Sequence, residues 1–89
     1  MTLERWQTIS RHDQLLHIGA DLLRAAEWQK ESREKFIFFL KKAIELTELT
    51  EQDPKWEGQL LSPAILKKEM EKFLIGEKTE NIETLYQSL

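Results

Sequence analysis

Asp13, His17 and Asp21 stand four residues apart in SRHDQLLHIGADLLRAAEWQK, so on a helix they form one stripe that Arg24 and Trp28 continue. A histidine between two carboxylates has the composition of a general base with raised pKa, or of part of a divalent-metal site. The same spacing also suits ion pairs on a solvated face, each worth about 0.2–0.5 kcal/mol. A transition-metal site needs more nitrogen or sulfur ligands than a chain with two His and no Cys supplies. The stripe therefore reads first as a solvated face, and Asp13, His17 and Asp21 as metal ligands only second. Arg24 and Trp28 have the spacing of a cation–π pair worth about 0.5–1 kcal/mol when exposed, or of simple shielding of the indole by the Arg stem. Glycines occur singly at 19, 58 and 76, so no loop is built to cradle phosphate, and no Ser/His/Asp set has motif context. No cofactor is indicated, and no small-molecule ligand.

Two motif resemblances involve the start of the same stretch. His12-Asp13 is similar to the dipeptide of the HD phosphohydrolases, but those enzymes need further His and Asp ligands that this chain lacks. His12 reads instead as a partly buried structural histidine near a helix start. Arg11 and His17 have an Arg-x5-His spacing that resembles the active-site motif of HEPN-type ribonucleases, which are small helical bundles. That resemblance implies metal-independent RNA cleavage, or a toxin-type role, with Arg11 holding phosphate and His17 assisting cleavage in a dimer-interface cleft. It covers two residues, which lie near the N-terminus instead of on a later helix and point about 120° apart on a helical wheel. The paired Glu-x-x-His motifs of di-iron bundles are absent.

Composition limits the alternatives. Eighty-nine residues make one domain with a thin core. Apolar residues at 40% and charged residues at 33% suit a globular chain, not a disordered one. The 13 basic and 16 acidic side chains give a net charge of −3. They are mixed throughout, with no basic stripe, which argues against nucleic acid as a partner. Without Cys there are no disulfides, thiolate metal sites or Cys nucleophile. Charges interrupt the apolar runs of MTLERWQTISRHD, so no signal-peptide core is expected, and no run of about 18 apolar residues spans a membrane. The expected location is the cytoplasm.

The elements that must position these residues are helical. Leu15, Leu16, Ile18, Gly19, Leu22, Leu23, Ala25 and Ala26 fall in one half of a wheel, the wide stripe of a core-facing helix, with Ser10 as N-cap. Leu3 and Trp6 break that phase, so residues 2–9 form a separate short turn capped by Thr2. Ser32 caps a second helix whose inner half holds Phe36, Ile37, Phe39, Leu40, Ala43, Ile44, Leu46 and Thr47. The small Gly19 and Ala26 would let Phe36, Phe39 or Leu40 approach closely. Asp53-Pro54 starts a third segment in which Trp56, Leu60, Pro63, Leu66, Met70, Phe73 and Leu74 keep one phase. Pro63 would break a continuous helix, and Ser62-Pro63 is itself a helix start, so a break at 60–62 is expected, with Gly76 as the stop. Ile82, Leu85, Tyr86 and Leu89 suit a terminal helix capped by Thr79. The fold expected is all-α: an antiparallel helical hairpin at 10–30 and 32–50, extended to a small three- to four-helix bundle by a kinked segment at 54–75 and a short C-terminal helix at 79–88.

One feature does not serve the core. In FIFFL, Phe38 points about 180° from the inner stripe, and Leu49, eleven residues later, returns to nearly the same direction. Trp28 lies on the corresponding outer side of the first helix. Burying Phe38 is worth about 1.5–3 kcal/mol. Either the third or terminal helix wraps round to cover it, or it marks a contact with another chain. The residues thus point to a non-enzymatic helical protein that acts by self-association or as an accessory subunit, with Phe38, Leu49 and Trp28 at the interface and the chain itself or another protein as partner.

Overall fold

The computed structural model describes residues 1–89. It contains α1 (Leu3–Gln7), α2 (Arg11–Trp28), α3 (Arg33–Glu51), a 3₁₀ turn (Pro54–Trp56), α4 (Pro63–Leu74) and α5 (Glu83–Gln87). There are no strands. The expected all-α hairpin is present: α2 and α3 pack along their length, α4 lies on α3, and α5 lies on α2.

Local chemistry sets most of the helix starts. Ser10, Ser32 and Ser62 each accept the backbone N–H three residues on, from Asp13, Lys35 and Ile65, and Thr2 does the same for Arg5. Each such cap is worth about 1 kcal/mol over Ala. Asp53 caps the 3₁₀ turn through Lys55 N–H, and Pro54 occupies the first position, where its missing N–H costs nothing. At the end of α4, Gly76 turns left-handed (φ +84°). Glu77 N–H then donates to Lys72 C=O at 2.9 Å and Gly76 N–H to Phe73 C=O at 3.4 Å, which closes the helix in a Schellman motif.

The core is a single cluster. Ile18, Leu22 and Ala25 of α2 meet Phe36, Leu40, Ala43 and Ile44 of α3, and Leu66, Met70 and Phe73 of α4 fill the remaining side. Trp6 closes the cluster from α1 and Ile82 from the segment before α5. Thr47 and Thr50 are buried on α3 because each hydroxyl donates to the carbonyl four residues back, at 2.8 Å in both cases.

Several sequence expectations are corrected. Gly19 does not admit α3 side chains; it faces Tyr86, whose Cε2 would lie 2.8 Å from an added Cβ. Glycine is needed there because α5 crosses α2 at that point. Leu16 shares the phase of the inner stripe but is 58% exposed, since five-residue α5 is too short to cover that flank. His12, expected to be partly buried, is exposed for the same reason. Leu60 shares the phase of α4 but lies in the irregular stretch between the 3₁₀ turn and Ser62, fully exposed. The terminal helix starts at Glu83 instead of 79. Gln29 explains the delay: its Nε2 donates to Glu80 C=O at 2.6 Å and its Oε1 accepts Ile82 N–H at 2.7 Å. Residues 80–82 are thereby held against the end of α2, and Asn81, not Thr79, accepts the N–H of Glu83.

Candidate functional site

The candidate residues named above are dispersed over the fold. Asp21 is buried, and its carboxylate accepts a hydrogen bond from Arg24 Nη1 at 3.1 Å. This ties up Arg24, and the cation over Trp28 is instead Lys35, with Nζ 3.9 Å from the ring centroid. His17 is exposed and lies against Trp6, with ring centroids 5.9 Å apart. Asp13 is exposed at the start of α2. No group of three His, Asp or Glu side chains is arranged to hold a metal ion, so Asp13, His17 and Asp21 are not brought together as a ligand set. Arg11 Nη1 donates to Lys55 C=O at 3.2 Å, and no hydrogen bond joins Arg11 to His17.

A buried polar cluster was not anticipated. Gln14 is fully buried where α1, α2 and the 3₁₀ turn meet. Its Nε2 donates to Trp6 C=O at 2.8 Å and to Asp53 Oδ2 at 2.9 Å, while its Oε1 accepts Trp56 Nε1–H at 2.6 Å. Asp53, also buried, receives Lys55 Nζ at 2.7 Å and Lys55 N–H at 3.0 Å, and Lys55 Nζ reaches Gln7 C=O at 2.8 Å. Trp6 Nε1–H donates to Thr50 Oγ1 at 3.0 Å. Burial pushes the Asp53 carboxyl up, but the hydrogen bonds from Lys55 and Gln14 outweigh it and hold the group below the usual carboxylate value. Every buried side-chain polar atom has a partner. With its hydrogen bonds running between elements, the cluster acts as a clasp fastening the N-terminal turn and the 3₁₀ turn to the hairpin. The only sequence signals were the Asp53-Pro54 cap and a glutamine one turn before Ile18.

Two apolar surfaces remain. The first is a groove of roughly 530 Å³ along α2, lined by His12, Leu15, Leu16, Ala20, Leu23, Tyr86, Gln87 and Leu89. It lies beside the last turn of the chain. The second is the outer face of α3. Neither α4 nor α5 covers Phe38, which is 55% exposed. Its ring makes an edge-on contact with Phe39, with centroids 5.2 Å apart, and Lys42 Nζ sits 4.9 Å from its centroid. Three turns further along the same face, Leu49 is half-buried and lines a shallow depression of roughly 300 Å³ with Met1, Glu45, Leu46, Glu48 and Gln52. Trp28, expected on the outer side of the hairpin, is half-buried against the core beneath Lys35. The structure thus separates the three: Phe38 is open, Leu49 sits at the edge of a depression, and Trp28 is largely absorbed by the fold.

No helix is long and apolar enough to cross a membrane. Comparison with known protein families, curated proteins and solved structures returns no match.

Proposed function

We propose that this protein works by association with another protein surface, through the outer face of α3, and not by catalysis. The observation that carries the reading is Phe38: a large aromatic side chain, 55% exposed, on the α3 face opposite the core, with no element of its own chain over it. Fully burying a Phe side chain is worth about 1.5–3 kcal/mol, of which roughly half is still to be gained at this partly covered ring, and aromatic residues set among charges are common anchors of protein interfaces. Glu34, Lys41, Lys42 and Glu45 surround it and supply a polar rim.

The test is a photo-reactive benzoyl-phenylalanine placed at position 38 in cells producing the protein, with the same group at exposed Gln59 as control. Adducts of one or two discrete masses at position 38, absent at 59, are expected. Equal and diffuse labelling at both positions would contradict the proposal.

A further inference from the structure

Resting on that reading, we infer that the surface covering Phe38 is α3 of a second copy of this chain, packed antiparallel with Phe38 opposite Leu49 and Lys42 opposite Glu45. The solvent face of α3 presents Phe38, Lys42, Glu45 and Leu49 at intervals of four, three and four residues, the alternation of a coiled-coil seam. The seam is apolar at both ends and oppositely charged in the middle. The midpoint between Phe38 and Leu49 is also the midpoint between Lys42 and Glu45. A two-fold axis through that point therefore satisfies every layer at once: each apolar end meets the other apolar end, and each central charge meets its opposite.

The surroundings fit the same axis. It brings the Phe38 ring over the depression lined by Met1, Glu45, Leu46, Leu49 and Gln52 of the second copy. Half-buried Phe39 and Leu46 come side by side on one flank. Lys41 comes beside Glu48 on the other, where Glu48 has only a loose partner in Lys67 at 3.7 Å. Lys42 already lies along the Phe38 ring, so its ammonium can reach Glu45 of the second copy without giving up that contact. A parallel pairing sets Lys42 against Lys42 and Glu45 against Glu45, two like-charge layers. The contact is isologous and closed, so it ends at a dimer. Four layers make an interface smaller than the roughly 800 Å² per partner of a standard one, the size class of weak, transient contacts.

Sedimentation velocity from about 5 to 500 µM, with circular dichroism confirming helicity of each variant, tests this. The wild-type protein is expected to dimerise. Phe38→Glu, Lys42→Glu and Glu45→Lys should each weaken the dimer at least 10-fold, because each charge reversal places two like pairs in the seam. An equimolar mixture of Lys42→Glu and Glu45→Lys chains restores both central pairs and should dimerise within a few-fold of wild type, in a salt-sensitive manner. If Phe38→Glu disrupts the dimer but the charge variants and their mixture do not respond, the antiparallel register is overturned while association through Phe38 stands. A wild-type protein that remains monomeric at 500 µM overturns self-pairing, and a position-38 adduct with a different protein would then still uphold association.

Discussion

Replacing Gln14 with Leu tests the clasp that holds the N-terminal third of the chain. Leucine matches the volume closely but offers no hydrogen bond. The Trp56 indole N–H loses its partner outright, since Gln14 Oε1 is its acceptor at 2.6 Å. A buried donor left unpaired costs about 1–3 kcal/mol. The other two losses are smaller. Trp6 C=O keeps Ile9 N–H at 3.1 Å, and Asp53 keeps both donors from Lys55. Each of those lost bonds costs about 0.5–1.5 kcal/mol, offset in part by the better transfer of Leu out of water. The sum is a loss of about 3 kcal/mol, a large share of the roughly 5–13 kcal/mol expected for a chain of this size. Urea unfolding followed by tryptophan emission should show the midpoint falling by about 2–3 M, at a slope of about 1–1.5 kcal/mol/M. Gln59→Leu, in the exposed loop, should stay within about 0.5 kcal/mol of wild type. A Gln14→Leu loss below 1 kcal/mol would refute the claim that the cluster is a structural fastening.

Asp53 should make the protein acid-sensitive. Its folded carboxyl titrates below the ordinary value of about 3.9, so its stabilisation is complete above that value and is lost as pH falls through the folded pKa. Asp53→Asn should flatten that part of the acid unfolding curve, and Gln14→Leu, which removes one donor to the carboxylate, should move it to higher pH. At the alkaline end, Lys78 is raised chiefly by its hydrogen bond to Glu69, so its contribution is intact below about 10.4 and fades above it; Lys78→Met should remove that part of the alkaline change in thermal unfolding. Gly19→Ala gains up to about 1 kcal/mol of helix propensity but drives a Cβ to 2.8 Å from the Tyr86 ring. Amide exchange of residues 82–89 should accelerate at least several-fold while α3 stays protected; unchanged exchange there would show that α5 is not seated on Gly19.

What the sequence made legible was mainly local. Thr2, Ser10, Ser32, Ser62 and the Asp53-Pro54 pair announce helix starts because a cap needs only the three residues after it. Gly76 announces a stop because that one residue must turn left-handed for the helix to close. Phe38 was legible as an outward residue because a rigid helix fixes its direction once the inner stripe is known. The features that escaped depend on residues far apart in the chain. Thr79 failed as a cap because Gln29, some fifty positions earlier, holds residues 80–82 out of a helix. Gly19 was assigned to the wrong neighbour because a wheel gives the direction of a face but not what lies over it. Gln14 looked like an ordinary polar residue beside the stripe, and only the meeting of Trp6, Asp53 and Trp56 around it makes it central. The exposure of Leu16 and His12 has the same origin: a helix face is as wide as its pattern, but its cover is only as long as α5.

The most direct test of an α3 contact surface is a set of ¹H–¹³C and ¹H–¹⁵N spectra recorded from about 20 µM to 1 mM. Concentration-dependent shifts should converge on Phe38, Lys42, Glu45, Leu46 and Leu49, with the Phe38 ring and Leu49 methyls moving most. Spectra that stay constant across this range, or shifts that gather instead on His12, Leu16 and Tyr86 along α2, would contradict self-pairing through α3.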